Sequence, residues 1–528
     1  MTTGCFENID IVFSRKLLGL NADVAASLAL SYLFAACRQG HHCVSLKETT
    51  IFPMLQGSFD GKQIKKGFLE LPQDIVQEVS DHLNLKPIVK CRDHFYLQKY
   101  FLLEEKILCN LRRLLNGSLN LIFNQNLIEN HLDVYAAKLN NDQKKAVMQS
   151  LSSPISLLTG GPGTGKTYTV KYLLKTYLSL CREVQVSPRV LIAAPTGKAA
   201  ATLREKLDGL AQHQIEILTL HRALKIQRQQ DLKKPRVLLH DLIVVDECSM
   251  VDLHLWTALF SAIAVGSRVI LMGDPYQLPP VETGMIFQEL FQALPSSSLN
   301  ICMRTEAKQL VDIASAVKTG NMDLVQGYLE ETSSELSIYE FENEVDILQL
   351  APWQKVDYFV DLKKRCILSP KLEGPWGVNT LNKQLYALHD KSCSRESYKM
   401  VPIIITKTDY AHQHYNRATG FLVEHKDVNV LDYAIFESKG DKQFDKSQLP
   451  PYQEAYALSV HKSQGSEYEE VFLFLPEGSQ VFGREIIYTA ITRAKCCVTI
   501  FAKKNVLQQC LFIDGKKHSA LSERLIEL

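Results

Sequence analysis

The sequence predicts an α/β protein: two open, mainly parallel sheets faced by helices, with a mainly helical region in front and a small β-barrel inserted in the second layer. Three observations lead there. The apolar run Ile155 to Leu158 meets Gly160-Gly161-Pro162-Gly163-Thr164-Gly165-Lys166-Thr167, which opens a helical pattern from Tyr168 to Leu180; this is a strand, a phosphate loop and a helix. Continuous apolar runs at Val190 to Ala194, Leu242 to Val245 and Val269 to Met272 each end in a polar turn, as strands buried on both faces do when their carboxyl ends carry a site. The same alternation resumes between Arg365 and Phe501 without a second phosphate loop.

A chain of 528 residues needs more than one core, and three segments are expected: 1–118, 119–340 with a short insertion at about 222–238, and 341–528 with a β-rich insertion at about 400–450. With 46% hydrophobic and 22% charged residues the composition is that of a globular protein. The longest apolar stretch, Ala25 to Cys37, is too short to cross a bilayer, so no membrane is expected. A net charge of +1 excludes a global basic field, and any nucleic acid must be held in a local groove. The thirteen cysteines form no C-x-x-C pair and the start carries no secretory signal, which points to reduced thiols in a cytoplasmic protein.

In order along the chain, Phe13 to Leu18, Val24 to Cys37, Leu71 to Leu85 and Tyr100 to Leu115 have helical patterns, with a short hairpin at Ile88 to Leu97. His41-His42-Cys43 could ligate a metal, but has no second half at ligand spacing and reads as a turn after a helix. Asn116-Gly117-Ser118 marks a boundary. Ahead of the phosphate loop, the Gln143 amide presents a donor and an acceptor on one edge, which suits adenine and equally suits a solvated helix position.

Within the loop, glycines let backbone N–H groups approach phosphate oxygens without a Cβ in the way, and the following helix adds its positive dipole end. Lys166 neutralises the β/γ-phosphates, and Thr167 offers a hydroxyl to Mg²⁺. Pro195 to Ala200 is a polar turn at a strand end, followed by Thr219-Leu220-His221-Arg222 and an exposed hairpin at Gln227 to Arg236. Asp246 can hold Mg²⁺ through its water shell, and Glu247 can orient and deprotonate the attacking water. Gln277 can bond the γ-phosphate or that water and so sense hydrolysis. Arg304 supplies a guanidinium or a surface ion pair, Trp376 and Tyr410 serve stacking or core packing, and Arg493 follows a helix before the last strand.

Gln143, GGPGTGKT, APTGKAA, TLH, VVDE, GDPYQLPP, the arginine after Met303, VHKSQGSE and YTAITRAK occur in an order and spacing that resemble the RecD branch of superfamily 1 helicases, across roughly 139 to 503. FSRKLLGL, LSYLFAACRQGHHCVSL and FYLQKYFLLEEKI resemble the branch more loosely. The resemblance implies RecA-like layers, an SH3-like form for the small barrel, and ATP with Mg²⁺ bound by Gln143, Gly160 to Thr167 and Asp246. It implies that Lys166, Glu247 and Gln277 act in hydrolysis, that Arg304 and Arg493 are arginine fingers, and that Glu467 touches the nucleotide sugar. Thr196, Lys198, His221, Lys462 and Ser463 would contact the strand.

By the same resemblance the chain moves 5′→3′ on single-stranded DNA, engages duplex ends, and works in recombination and break repair beside RecB-like and RecC-like subunits. Its first 118 residues would dock the RecC-like one, and nuclease chemistry would belong to a partner. The alternatives are a stand-alone helicase of the same branch, or an ATP switch or kinase, which leaves Arg493 and the Gly465 turn without a role.

Overall fold

The computed structural model describes residues 6–19, 23–47, 50–55, 60–79, 86–210, 215–302, 308–321, 323–325, 327, 334–340, 364–409, 416–436 and 443–526. At the start, α1 (Asn8–Leu18), α2 (Val24–Arg38) and α3 (Gly61–Leu69) pack on a sheet of β1 (Cys43–Leu46), β2 (Ile51–Phe52), β3 (Val76–Glu78), β4 (Ile88–Cys91) and β5 (His94–Leu97). Asp23 caps α2 by accepting the N–H groups of Ala25 and Ala26. The alanines of α2 let α3 cross in backbone contact, where a Cβ on Gly67 would fall 1.9 Å from the Ala25 carbonyl oxygen.

The sheet runs β2-β1-β5-β4-β3, so the region is a mixed α/β layer and the expectation of a mainly helical one is corrected. The expected helix from Leu71 is instead a turn and β3, which pairs in parallel with β4 through Val76 and Ile88. A distant strand edge decided that segment over its local pattern.

The first large α/β layer holds α4 (Gln98–Leu115), α5 (Gln125–Asp133), α6 (Asn141–Ser152), β6 (Ile155–Gly160), α7 (Lys166–Glu183), β7 (Val190–Ala194), α8 (Gly197–Leu207), β8 (Ile215–Thr219), α9 (Leu220–Ala223), β9 (Leu242–Val245), α10 (Leu253–Ala262), β10 (Arg268–Gly273), α11 (Ile286–Ala293) and β11 (Ser296–Leu299). Its sheet order is β11-β6-β10-β9-β7-β8, all parallel. Leu271 pairs with Leu157 on one side and Val245 on the other, and all three enter the core that holds Trp256 and Phe260. Their neighbours Leu158, Val244 and Ile270 enter the opposite core, under Leu173 and Tyr177. Both faces are therefore apolar, which is why these strands read as unbroken hydrophobic runs; each fully buried aliphatic side chain contributes about 1.5–3 kcal/mol.

Helix α4 lies on this layer: Ile107, Leu108, Leu111 and Leu114 share the core of Trp256. The loop after it, at residues 116–118, does not separate α4 from this layer, so the expected boundary at 118 falls instead ahead of α4. Between α9 and β9 the expected hairpin is replaced by an exposed 3-10 turn, Gln229–Lys233. There the Asp231 carboxylate accepts the N–H groups of Gln227 and Arg228, closing the loop locally without a cross-strand partner.

The second layer contains α12 (Lys308–Thr319), β12 (Leu336–Tyr339), β13 (Arg365–Ser369) and α13 (Val378–Ser392). An insertion follows, of β14 (Tyr398–Ile405), β15 (Thr419–His425), β16 (Tyr433–Phe436), β17 (Gln443–Asp445) and β18 (Tyr452–Glu454). The layer resumes with β19 (Ala457–Ser459), α14 (Val460–Ser463), β20 (Tyr468–Leu475), α15 (Arg484–Ile491), β21 (Ala494–Ala502), α16 (Lys504–Phe512) and α17 (Leu521–Ile526). Its sheet is parallel, in the order β12-β21-β20-β13-β19.

The insertion is an antiparallel sheet ordered β17-β16-β15-β14-β18; no ladder among the described residues joins its two edge strands. Trp376 stacks on Phe474 at 5.4 Å, which in turn stacks on Phe501, so its ring is committed to packing. Tyr410 lies outside the described residues. Helix α17 returns to the first layer, where Leu521 and Leu525 complete the core beside α4. Among the described residues no helix is long and apolar enough to cross a membrane.

Candidate functional site

The carboxyl end of β6 opens into the phosphate loop. Gly165, at φ +84°, caps α7 in the left-handed region, and a Cβ on Gly160 would lie 2.5 Å from Thr164 Oγ1 and 3.0 Å from the Leu299 carbonyl, so glycine is required at both. Lys166 Nζ folds back and donates to the carbonyls of Gly160 (2.6 Å) and Gly161 (3.1 Å). Thr167 is half-buried in the first turn of α7. Gln143 is buried beside the loop: its Oε1 accepts the Asn140 N–H in a capping box, and its Nε2 would lie 2.9 Å from a Cβ on Gly165. The structure thus brings Gln143, residues 160–165, Lys166 and Thr167 together.

Asp246 and Glu247 leave the end of β9, next to β10 and one strand removed from β6. Burial, reinforced by Glu247 and opposed by Lys166, pushes the Asp246 carboxyl up to about 6. Glu247 stands at φ +52° and donates its N–H to Asp246 Oδ1 at 2.9 Å. A non-glycine residue in the left-handed region stores strain, and here it turns Glu247 toward the second layer, where Glu247 Oε1 is 3.7 Å from the Cβ that Gly465 would carry.

At the end of β10, Gln277 is buried, donates from Nε2 to Asp274 Oδ2 at 3.2 Å, and keeps its Oε1 buried with no partner among the described residues. Asp274 Oδ2 also accepts the hydroxyl of Tyr488 from α15, at 2.8 Å. That hydroxyl sits 3.3 Å from where a Cβ on Gly161 would be, so a side chain of the second layer covers the phosphate loop. Tyr488 was missed by sequence reasoning. Its only signal was a place one turn before Arg493.

Other bonds also cross between the layers. The Leu278 N–H donates to Thr489 Oγ1 (2.9 Å), Gln464 Nε2 donates to the Leu278 carbonyl (3.0 Å), and Lys198 Nζ donates to Ser466 Oγ (2.7 Å). Arg417, just ahead of β15, points its guanidinium at Met250 Sδ (3.8 Å) in the turn that follows Glu247; this residue too escaped the sequence.

Arg493 is buried in the turn between α15 and β21, donating to the carbonyls of Thr489 and Ser466 and to Thr492 Oγ1. Thr196 caps α8 by accepting the Ala199 N–H, and His221 is exposed on α9. Lys462 Nζ donates to Gln453 Oε1, while Ser463 is fully buried with its hydroxyl donated to the Val460 carbonyl. Glu467 is exposed, 4.0 Å from Lys495 Nζ. Arg304 lies outside the described residues.

The groups present fit a nucleoside triphosphate with its metal ion: a lysine occupying carbonyls that phosphate oxygens would relieve, an orphaned buried amide oxygen, and a carboxyl whose burial favours a cation beside it. Residues 143–283 match the family described as AAA domain, and residues 454–500 the UvrD-like helicase C-terminal domain. The chain is 28% identical to the RecBCD enzyme subunit RecD of Mycolicibacterium smegmatis, over 98% of this chain and 97% of that one. With the RecBCD enzyme subunit RecD of Mycobacterium tuberculosis it shares 30% identity over 73% of each chain. A crystal structure of Bacteroides Pif1 bound to ssDNA aligns with 71% of this chain and 94% of that one, at 14% identity and a TM-score of 0.43. The chain belongs to the RecD family of superfamily 1 helicases and is an ATP-dependent DNA helicase, a hydrolase.

Proposed function

We propose that this helicase is the RecD-like motor of a RecBCD-type helicase-nuclease, moving 5′→3′ on single-stranded DNA from duplex ends in recombination and break repair. The observation that carries the motor reading is the hydrogen bond between Asp274 of the first layer and Tyr488 of the second, directly over the phosphate loop. Any rearrangement of that loop is felt by both layers, and a site split between two bodies converts nucleotide state into relative motion.

Lys166 and the loop N–H groups bind phosphate oxygens, Thr167 and Asp246 hold Mg²⁺, and Gln143 faces the base. When bound, the ion neutralises charge on the phosphate oxygens. Glu247 orients and deprotonates water, Gln277 senses the terminal phosphate through its free Oε1, and Arg493 with Arg304 stabilises charge that develops in phosphoryl transfer. Glu467 touches the sugar. Thr196, Lys198, His221 and Lys462 line the strand path, while Ser463, buried with its hydroxyl given to the Val460 carbonyl, supports the turn that carries Lys462 instead of touching the strand as expected; the inserted sheet acts as an SH3-like barrel beside the path. The RecC-like partner docks on the first region, whose α1 exposes Ile9, Val12 and Phe13. The RecB-like partner supplies nuclease chemistry.

The test is unwinding of duplexes with a single 5′ or 3′ tail by the full chain, with Lys166→Gln as the inactive control. Displacement of the 5′-tailed substrate alone is expected. Preference for the 3′ tail overturns the polarity, and ATPase indifferent to DNA overturns the motor. Co-purification with RecB-like and RecC-like chains, lost in Val12→Asp/Phe13→Asp, tests the docking.

A further inference from the structure

The antiparallel register of β1 and β5 sets Cys43 opposite Tyr96 and Ser45 opposite His94, so Cys43, Ser45, His94 and Tyr96 share one face of the first sheet. That face is closed by the segment between α16 and α17. The segment is held beside the start of β1 by two hydrogen bonds, one between backbones and one to a ring nitrogen: the His42 N–H donates to the His518 carbonyl, and the His518 N–H donates to His41 Nδ1, both at 2.8 Å. The result brings Cys43 Sγ and one ring nitrogen each of His94 and His518 within 4.8 Å of one another. The two imidazoles face each other, centroids 5.8 Å apart and 23° from parallel.

Three buried polar atoms in this place have no hydrogen-bond partner among the described residues: His94 Nε2, His518 Nε2 and Ser45 Oγ. Cys43 is 0% and His94 6% exposed. Histidines that merely fill a core use their ring N–H groups, because an unpaired buried polar atom costs about 1–3 kcal/mol; leaving several orphaned in one cluster calls for a ligand. We propose that Cys43, His94 and His518 bind one Zn²⁺ ion. Glu523, whose Oε2 is 3.6 Å from His94 Nε2, stands at the half-exposed edge as the fourth donor, directly or through a water.

The chemistry selects zinc. One thiolate with two imidazoles and an oxygen is a borderline-soft donor set, and zinc bonds of about 2.0–2.3 Å place ligand atoms roughly 3.3–3.7 Å apart, which side-chain torsions reach from the observed spacing. Zinc takes the imidazoles in their neutral form and displaces one proton from the Cys43 sulfur to solvent as the Zn–S bond forms. The ion joins β1 and β5 to the segment ahead of α17, clasping the first region to the end of the chain.

The test uses the untagged full chain, stripped with a chelator and dialysed against metal-free buffer, then titrated with Zn²⁺ and with Co²⁺. One equivalent of zinc is expected, together with a cobalt spectrum of tetrahedral visible bands and a near-ultraviolet thiolate charge-transfer band. Cys43→Ser should abolish the charge-transfer band, and His518→Gln should lower zinc affinity at least tenfold. The wild-type cobalt spectrum is decisive even if a variant fails to fold. Failure to retain zinc near one equivalent, or a cobalt spectrum without the thiolate band, overturns the proposal.

Discussion

The Tyr488 hydroxyl donates to Asp274 Oδ2 across the boundary between the two layers, 2.8 Å apart and out of solvent. Gln277 Nε2 donates to the same oxygen, so one carboxylate gathers the second layer and the buried Gln277 amide on a single atom. Replacing Tyr488 with Phe keeps the ring against Tyr276 and removes only the donor. A buried acceptor that loses a partner costs about 1–3 kcal/mol. We expect kcat for DNA-stimulated ATP hydrolysis to fall about tenfold with a smaller change in KM for ATP, measured by steady-state kinetics; an equal loss in both would make Tyr488 a plain binding residue.

Arg493 is held by Thr489, Ser466 and Thr492, all of its own layer. Three bonds to fixed acceptors hold the guanidinium in place, and in the role proposed for it the charge it meets appears only during reaction. Arg493→Ala should lower turnover by about 10³-fold, the lower end for arginine fingers, while nucleotide affinity measured with a fluorescent ATP analogue changes far less. Arg493→Lys should not restore the rate, because an ammonium cannot reproduce the fork.

Glu485 opens α15 and accepts the Gly515 N–H at 2.9 Å. Burial, with Asp514 adding to it, raises its carboxyl from 4.5 to about 7. A carboxyl raised on folding stabilises the fold while protonated: that contribution is fully present below 4.5 and is lost as pH rises through about 7. Glu485→Gln should therefore flatten the fall in melting temperature between pH 5 and pH 8, read by thermal denaturation at each pH. A variant with the wild-type slope would assign the pH dependence elsewhere.

Leu111 of α4 is fully buried beside Trp256 and Phe260. Leu111→Ala should destabilise the motor by about 2–5 kcal/mol, visible as a lower urea midpoint followed by tryptophan fluorescence. No shift would mean that α4 serves only the region before it.

The motor was legible in the sequence because parallel strands buried on both faces must be continuously apolar, and the phosphate loop needs glycines where Gly160 and Gly165 stand. What the sequence hid is what depends on distant partners. The pattern of α4 shows that it buries one face, but nothing in it says that Trp256 lies opposite. Strand β3 is three residues long and exists because Ile88 offers its backbone. Tyr488 looks like any aromatic on an apolar helix until Asp274 is seen beneath it. His41-His42-Cys43 reads along the chain as a turn after a helix, and nothing in the sequence says that His94 and His518 come within 4.8 Å of Cys43.

Leu521 and Leu525 fill a gap in a core whose other side chains begin at Ile107. The first layer is therefore closed by a helix that follows the whole of the second, and Trp256, Phe260 and the α4 leucines stay only partly covered until α17 is seated. A chain cut between α16 and α17 would bare oily surface that α17 otherwise conceals, so the first layer cannot be finished without the second being made.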